Sequence, residues 1–148
     1  MQTSAPPSGY VCLRIKVWVI KKYLHFLALS VLLFTTTVAN AQLKDSVFSY
    51  IVACGIKHPE IVMQQCLLET GHLRVPYLMH RHNLFAFRVT EAYMTFESWK
   101  QSVEYYKRWQ DKHYTNPNED YYVFLKRIKY SESSGYLDVL RKVSIKKG

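Results

Sequence analysis

No segment of this 148-residue chain alternates apolar and polar residues for more than a few positions, so a sheet-based architecture is not expected. Cysteine is scarce, and neither a CxxC pair nor a Cys/His spacing of the zinc-binding kind occurs. His72, His80 and His82 lie close together, but no acidic or cysteine partner stands at a fixed helical spacing, so no metal is expected. No internal repeat, low-complexity stretch or linker interrupts Leu43 to Val143. Acidic residues are outnumbered, 11 against 20 lysines and arginines. Long apolar runs are missing too. The longest, Tyr23 to Val38, has 16 residues including a histidine and three threonines, short of the ~20 that span a bilayer.

What is present at the N-terminus is a basic pair, Lys21-Lys22, that apolar run, and Ala39-Asn40-Ala41. Their order predicts a secretory signal peptide over 1–41, with an unusually long N-terminal extension carrying Pro6-Pro7 and Cys12, cleaved after Ala41. The remaining 42–148 suits one compact domain. It carries 16 basic and 11 acidic residues, net +5. That excess favours anionic partners, and export turns the choice from nucleic acid towards a membrane surface or an acidic cell-wall polymer. Secreted or periplasmic placement, with no stable membrane anchor after cleavage, follows from the signal peptide.

Helix signals recur along the domain. The first helix is expected over Asp45–Cys54, capped by Asp45 or Ser46 and stopped by Gly55. Pro59 opens a second helix ending near Glu69 or Thr70 with Gly71 after it, in an antiparallel hairpin with the first. Cys54 and Cys66 are offset along that hairpin and are expected to stay unpaired. Leu73–Arg88 reads as irregular. A third helix follows Thr95, with Phe96, Trp99, Val103, Tyr106 and Trp109 or Gln110 making an aromatic stripe. Asn116-Pro117-Asn118 breaks the chain, and short helices follow over Glu119–Ile128 and Gly135–Val143. The fold class is mostly α, with little strand.

One acid is oddly placed. Glu69 closes an apolar stretch just before Thr70-Gly71, at the helix end where partial negative charge disfavours a carboxylate. Such a position raises proton affinity, as a general acid near neutral pH requires. Around it, four blocks occur in order: IVMQQCLLETGH (Ile61–His72), HNLFAFR (His82–Arg88), AYMTFESWKQSVEYY (Ala92–Tyr106) and YYVFLKRIKYSESSGY (Tyr121–Tyr136). Together they resemble the glucosaminidase domain of bacterial cell-wall hydrolases, endo-β-N-acetylglucosaminidases of lysozyme-like fold. That family's pattern runs as an apolar helix ending E-[ST]-G, then N-N-L-F-G-[IF]-K, Y-x-x-F-x-S-x-x-x-S-[IV]-x-x-Y and G-Y-A-x-D-x-x-Y.

The resemblance implies a peptidoglycan hydrolase, monomeric and without metal or organic cofactor, that cuts the β-1,4 bond after N-acetylglucosamine. It places Glu69 as the catalytic acid and Asn83, Leu84 and Phe85 at the cleft floor, with Asn83 and Phe85 as substrate contacts. Tyr130 falls near the scissile bond, Tyr136 on the substrate, and Tyr93, Phe96 and Ser98 at the start of the long helix. The chain departs from the pattern at His72, where an aromatic is usual, and at His82 for asparagine. Ala86 stands for glycine, and Lys129-Tyr130-Ser131 for Gly-Tyr-Ala. The β-hairpin lobe of larger members, a source of a second carboxylate, shrinks to Arg88–Ala92. Glu91 is the one acid there, so the second group is either Glu91 or the substrate's own N-acetyl group. A binding module of the same fold, with little or no turnover, is the alternative. N-terminal sequencing of the exported protein is expected to read from Gln42; a mature form retaining Tyr23–Val38 would overturn the signal-peptide assignment.

Overall fold

A computed structural model describes residues 21–24, 27 and 41–145. The chain divides into two units, Met1–Asn40 and Ala41–Gly148. In the first, residues 21–24 and 27 are helical and exposed. Most of the apolar run and Ala39-Asn40 lie outside the described residues. Among the described residues no helix is long and apolar enough to cross a membrane.

The second unit is mostly helical, with one two-stranded hairpin. Helix α1 covers 41–53. It begins earlier than Asp45, and Ser46 is no cap: its hydroxyl donates back to the Gln42 carbonyl one turn before, at 2.8 Å. After it come α2 (Pro59–Glu69), α3 (Pro76–His80), β1 (Arg88–Val89), β2 (Ala92–Tyr93), α4 (Trp99–His113), α5 (Tyr121–Arg127) and α6 (Tyr136–Lys142). Helix α3 replaces the irregular segment expected after Leu73. Pro76 sits in its first turn, where a missing N–H costs nothing.

The cap of α4 lies three residues beyond Thr95, where it was expected. Ser98 is the cap, accepting from the Gln101 N–H, while the Gln101 side chain accepts from the Glu97 N–H at 2.8 Å. A serine followed three residues later by glutamine satisfies two orphan donors, which Thr95 is too far upstream to do. Asp120 caps α5 by accepting from Tyr122 and Val123. Strands β1 and β2 pair antiparallel through Arg88 with Tyr93 and Val89 with Ala92.

The core joins Val47 and Ile51 of α1 to Val62, Met63, Cys66 and Leu67 of α2. Leu84, Phe85, Val103, Tyr106, Phe124 and Leu140 complete it from the loop, α4, α5 and α6. Cys54 and Cys66 are both free thiols, and burial pushes the Cys66 thiol far up.

Beyond Glu69 the backbone turns left-handed for three residues: Gly71, His72 and Leu73 have φ of 55°, 60° and 63°. Their amide pattern ends the helix as a Schellman turn, His72 N–H to Leu67 C=O at 2.7 Å and Gly71 N–H to Leu68 C=O at 3.4 Å. Buried Thr70 holds the turn. Its hydroxyl donates to the Cys66 carbonyl at 2.6 Å and accepts the Leu73 N–H at 3.0 Å. Left-handed backbone recurs at His82, Ala86 and Lys129, none of which is glycine.

At Gly71 a Cβ would meet Val75 Cγ2 at 3.0 Å as well as a positive φ. Gly71→Ala is therefore expected to destabilise the domain by about 1–2 kcal/mol. Lys129→Gly, relieving the same backbone preference, is expected to stabilise it by up to about 1 kcal/mol. Urea unfolding of both variants checks the opposed signs.

Candidate active site

A cleft of about 550 Å³ opens beside the C-terminal end of α2. Glu69 is its half-buried acid, and its walls include Phe85, Phe87, Arg88, Trp109 and Tyr130. The helix end delivers Glu69 there because the Thr70 turn reverses the chain at once, and no basic residue occupies the last turn of α2 to neutralise it. Burial raises the Glu69 carboxyl above the usual range. A hydrogen bond from Tyr136 and the Arg88 charge oppose that rise without cancelling it. The Tyr136 hydroxyl donates to Glu69 Oε1 at 2.9 Å.

The other expected site residues divide into three groups. Tyr130 and Phe85 do line the cleft, and the Tyr130 hydroxyl donates to the Phe85 carbonyl at 3.1 Å. Burial, with Tyr136 and Glu69 nearby, holds the Tyr130 phenol far above its usual range, so it acts as a neutral donor. Tyr136 is not a wall of this cleft. It stands behind Glu69 and lines a neighbouring groove with Tyr122, Leu137 and Arg141, so its first partner is the acid and not a ligand.

Asn83 and Glu91 need correction as site residues. Asn83 is 0 % exposed and faces no cleft. Its Nδ2 donates to the Phe87 and Met94 carbonyls at 2.8 and 3.0 Å, and its Oδ1 accepts the Phe87 N–H at 3.0 Å. Both its amide hydrogens and its side-chain oxygen brace the loop that carries Phe85 and Phe87 and the hairpin after it. It shapes the floor from beneath and leaves nothing for a substrate. Glu91 sits exposed in the hairpin turn, outside the cleft wall.

Comparison with protein families, curated proteins and solved structures finds no match to this chain. The site therefore has to be read from its own residues.

Sequence reasoning missed Glu132, the one other acid in the cleft wall, on the exposed loop between α5 and α6. Its only signal was proximity in sequence to Tyr130. Arg88, Tyr93, Trp109, His113 and Lys129 were also unassigned as cleft residues. Trp109 was counted within the core stripe, and it packs edge-on to Tyr130 at 5.6 Å and also lines the cleft. A strip of arginines and tyrosines leads away from the cleft. Arg88 lies 4.3 Å over the Tyr93 ring, Tyr93 meets Tyr77 at 5.6 Å, and Arg81 lies 3.8 Å over Tyr77. Tyr77 is 50 % exposed. Among the described residues no group of three His, Cys, Asp or Glu is arranged to hold a metal ion.

A carboxyl with a raised folded-state pKa binds its proton more tightly in the native protein than in the unfolded chain. Stability therefore falls as pH rises from the ordinary glutamate range through the folded pKa, and the ionised, buried acid costs stability above it. Glu69→Gln is expected to melt at a higher temperature than the native protein at pH 7. The difference should vanish below about pH 4, where both states of the native protein are protonated. Thermal melts of the two proteins from pH 3 to 8 check it.

Proposed function

We propose that this chain is a peptidoglycan hydrolase, an endo-β-N-acetylglucosaminidase of lysozyme-like architecture with Glu69 as its general acid. The observation that carries the proposal is a single half-buried carboxyl, raised by burial, held by a phenol and opening on a cleft walled by aromatic rings. A glycosidic bond breaks when its leaving oxygen receives a proton as oxocarbenium character develops at the sugar. Glu69 holds such a proton nearer neutral pH than an exposed glutamate does. Phe87, Trp109 and Tyr93 supply flat apolar faces against which the C–H faces of sugars pack, and Arg88 and Lys129 supply positive charge for acid-bearing glycan.

Backbone conformation adds support for the family resemblance. The pattern has asparagine, glycine and glycine where this chain has His82, Ala86 and Lys129. Those three have φ of 50°, 53° and 51°, in the left-handed region that asparagine and glycine favour. The substitutions thus change the residue and keep the turn.

Besides its acid, the reaction needs a second group at the anomeric carbon or on the attacking water. Glu91 lies outside the cleft wall, which leaves Glu132 in that wall or the substrate's own N-acetyl oxygen. Glu132 is solvent-exposed and suits activation of water more than attack on the anomeric carbon. In the substrate-assisted course the N-acetyl oxygen bonds to the anomeric carbon as Glu69 protonates the leaving oxygen, and water then opens the ring it formed. The proposed setting is secreted or periplasmic, on glycan strands. The shortened hairpin favours one second reading, a cell-wall binding module with little turnover, which predicts binding without new reducing ends.

Glu69→Gln is expected to lower reducing-end release from purified peptidoglycan by at least about 10²-fold, with binding retained. Glu91→Gln should stay near native activity, and Glu132→Gln should retain a substantial fraction if the N-acetyl group is the nucleophile. Mass spectrometry of the digests identifies the cut: products ending in reducing N-acetylglucosamine support the proposal. No cleavage by the native chain, with binding intact, leaves the binding module.

A further inference from the structure

A one-way series of hydrogen bonds crosses the core towards Glu69, and its direction can be deduced. It starts at Lys57, whose peptide N–H can only donate and whose C=O can only accept. Gln110 meets both: its Oε1 accepts from the Lys57 N–H at 2.7 Å, and its Nε2 donates to the Lys57 C=O at 2.9 Å. That pins the amide. Its Nε2 also donates to the Tyr121 hydroxyl at 2.8 Å.

Tyr121 must now place its own proton. The acceptor within reach is the Tyr106 hydroxyl at 2.8 Å, so Tyr121 donates there. Tyr106 in turn donates to Gln65 Oε1 at 2.6 Å. Reversing the Gln65 amide would turn a second donor onto Tyr106 and leave either the Tyr106 or the Tyr121 proton without an acceptor in the core, a loss of about 1–3 kcal/mol. The Gln65 amide is thereby oriented from the far side of the domain.

Gln65 is 0 % exposed, and its Nε2 is the buried side-chain polar atom left without a hydrogen bond among the described residues. It lies one turn before Glu69 on α2 and near the Tyr136 hydroxyl, with no closed hydrogen bond between the two; its nearness favours ionisation of Tyr136 while burial and Glu69 oppose it. A donor on that side leaves Tyr136 one use for its own proton, the Glu69 carboxyl. We propose that Gln65 is a positioning residue: by presenting Nε2 to the Tyr136 oxygen it keeps Tyr136 a permanent donor to Glu69 Oε1, so that Oε2 carries the acid's transferable proton. Its importance for turnover rests on Glu69 being the general acid, but the proton placement does not.

The groups facing Glu69 are Tyr136 from α6, Arg88 from β1, Tyr130 from the loop after α5 and Cys66 on its own helix. Tyr93, His113, Lys129 and Glu132 stand further round the cleft. Of these, Tyr136 is the direct hydrogen-bond donor to the carboxylate. Loss of that donor removes a bond to the charged form and must raise the Glu69 titration midpoint.

The test is an NMR titration of the Glu69 side-chain carboxyl carbon in the full chain, which needs no turnover. Tyr136→Phe sets the scale, with an expected rise of about one pH unit. Tyr106→Phe frees the Gln65 amide to reverse and compete for the Tyr136 proton, and Gln65→Leu removes the donor outright. Both should move the midpoint upward by a smaller amount, although neither residue hydrogen-bonds Glu69. A midpoint unchanged in both would overturn the proposal, even with Glu69→Gln inactive. Should Gln65→Leu fail to fold, the native protein decides it: Gln65 side-chain amide protons are expected to show NOEs to the Tyr136 ring, and NOEs to the Tyr106 ring instead would mean the reverse orientation.

Discussion

The hydrogen bond from Tyr136 to Glu69 joins the first residue of α6 to the last residue of α2, and the cleft depends on it. A buried carboxylate without a donor would be neutralised or would draw in water. With the phenol in place, the acid stays half-buried and still titrates within reach of solution. The same bond draws α6 against α2, where Gln64 adds a second tie by donating to the Val143 carbonyl at 3.0 Å. The one contact thus bears on both packing and proton affinity.

Around that contact the domain places polar groups deep in its core and satisfies nearly all of them. Gln65, Thr70, Asn83, Ser102 and Gln110 are buried, and each has a specific backbone or side-chain partner. Such groups cost stability if left unpaired, so their pairing specifies one arrangement more strictly than apolar packing does. Thr70 and Asn83 do this locally, each fixing a left-handed or tightly turned segment next to the cleft. Gln65 and Gln110 do it at long range, linking α2, α4, α5 and the turn at Lys57.

Strain recurs in the same places. His72, Ala86 and Lys129 are left-handed without being glycine, and all three lie in the loops that deliver or border cleft residues. Each costs on the order of 1 kcal/mol or more, which the buried side-chain bonds and the aromatic cluster of Phe85, Tyr106, Trp109 and Tyr130 offset. A cleft wall built on such loops keeps its shape because its neighbours hold it.

Local signals in the sequence were enough for the helical class, for Pro59 and Gly71 as the bounds of α2, for the aromatic face of α4 and for Glu69 as an anomalous acid. These depend on residues within one or two turns of each other, where propensity, capping and periodicity act directly. Ser98 was also legible as a cap through Gln101, and Thr95 was the poorer choice. Tertiary structure alone decided the rest. Asn83 went beneath the cleft because three backbone groups from Phe87 and Met94 converge on it. Glu91 was carried out and Glu132 brought in by the length of one hairpin and the path of one loop. Tyr136 became the partner of Glu69 across 67 positions, and the orientation of Gln65 was set from Lys57 through two tyrosines. Such pairings are absent from local sequence because they depend on which helices meet, and only the closed core brings those hydroxyls and amides within bonding distance.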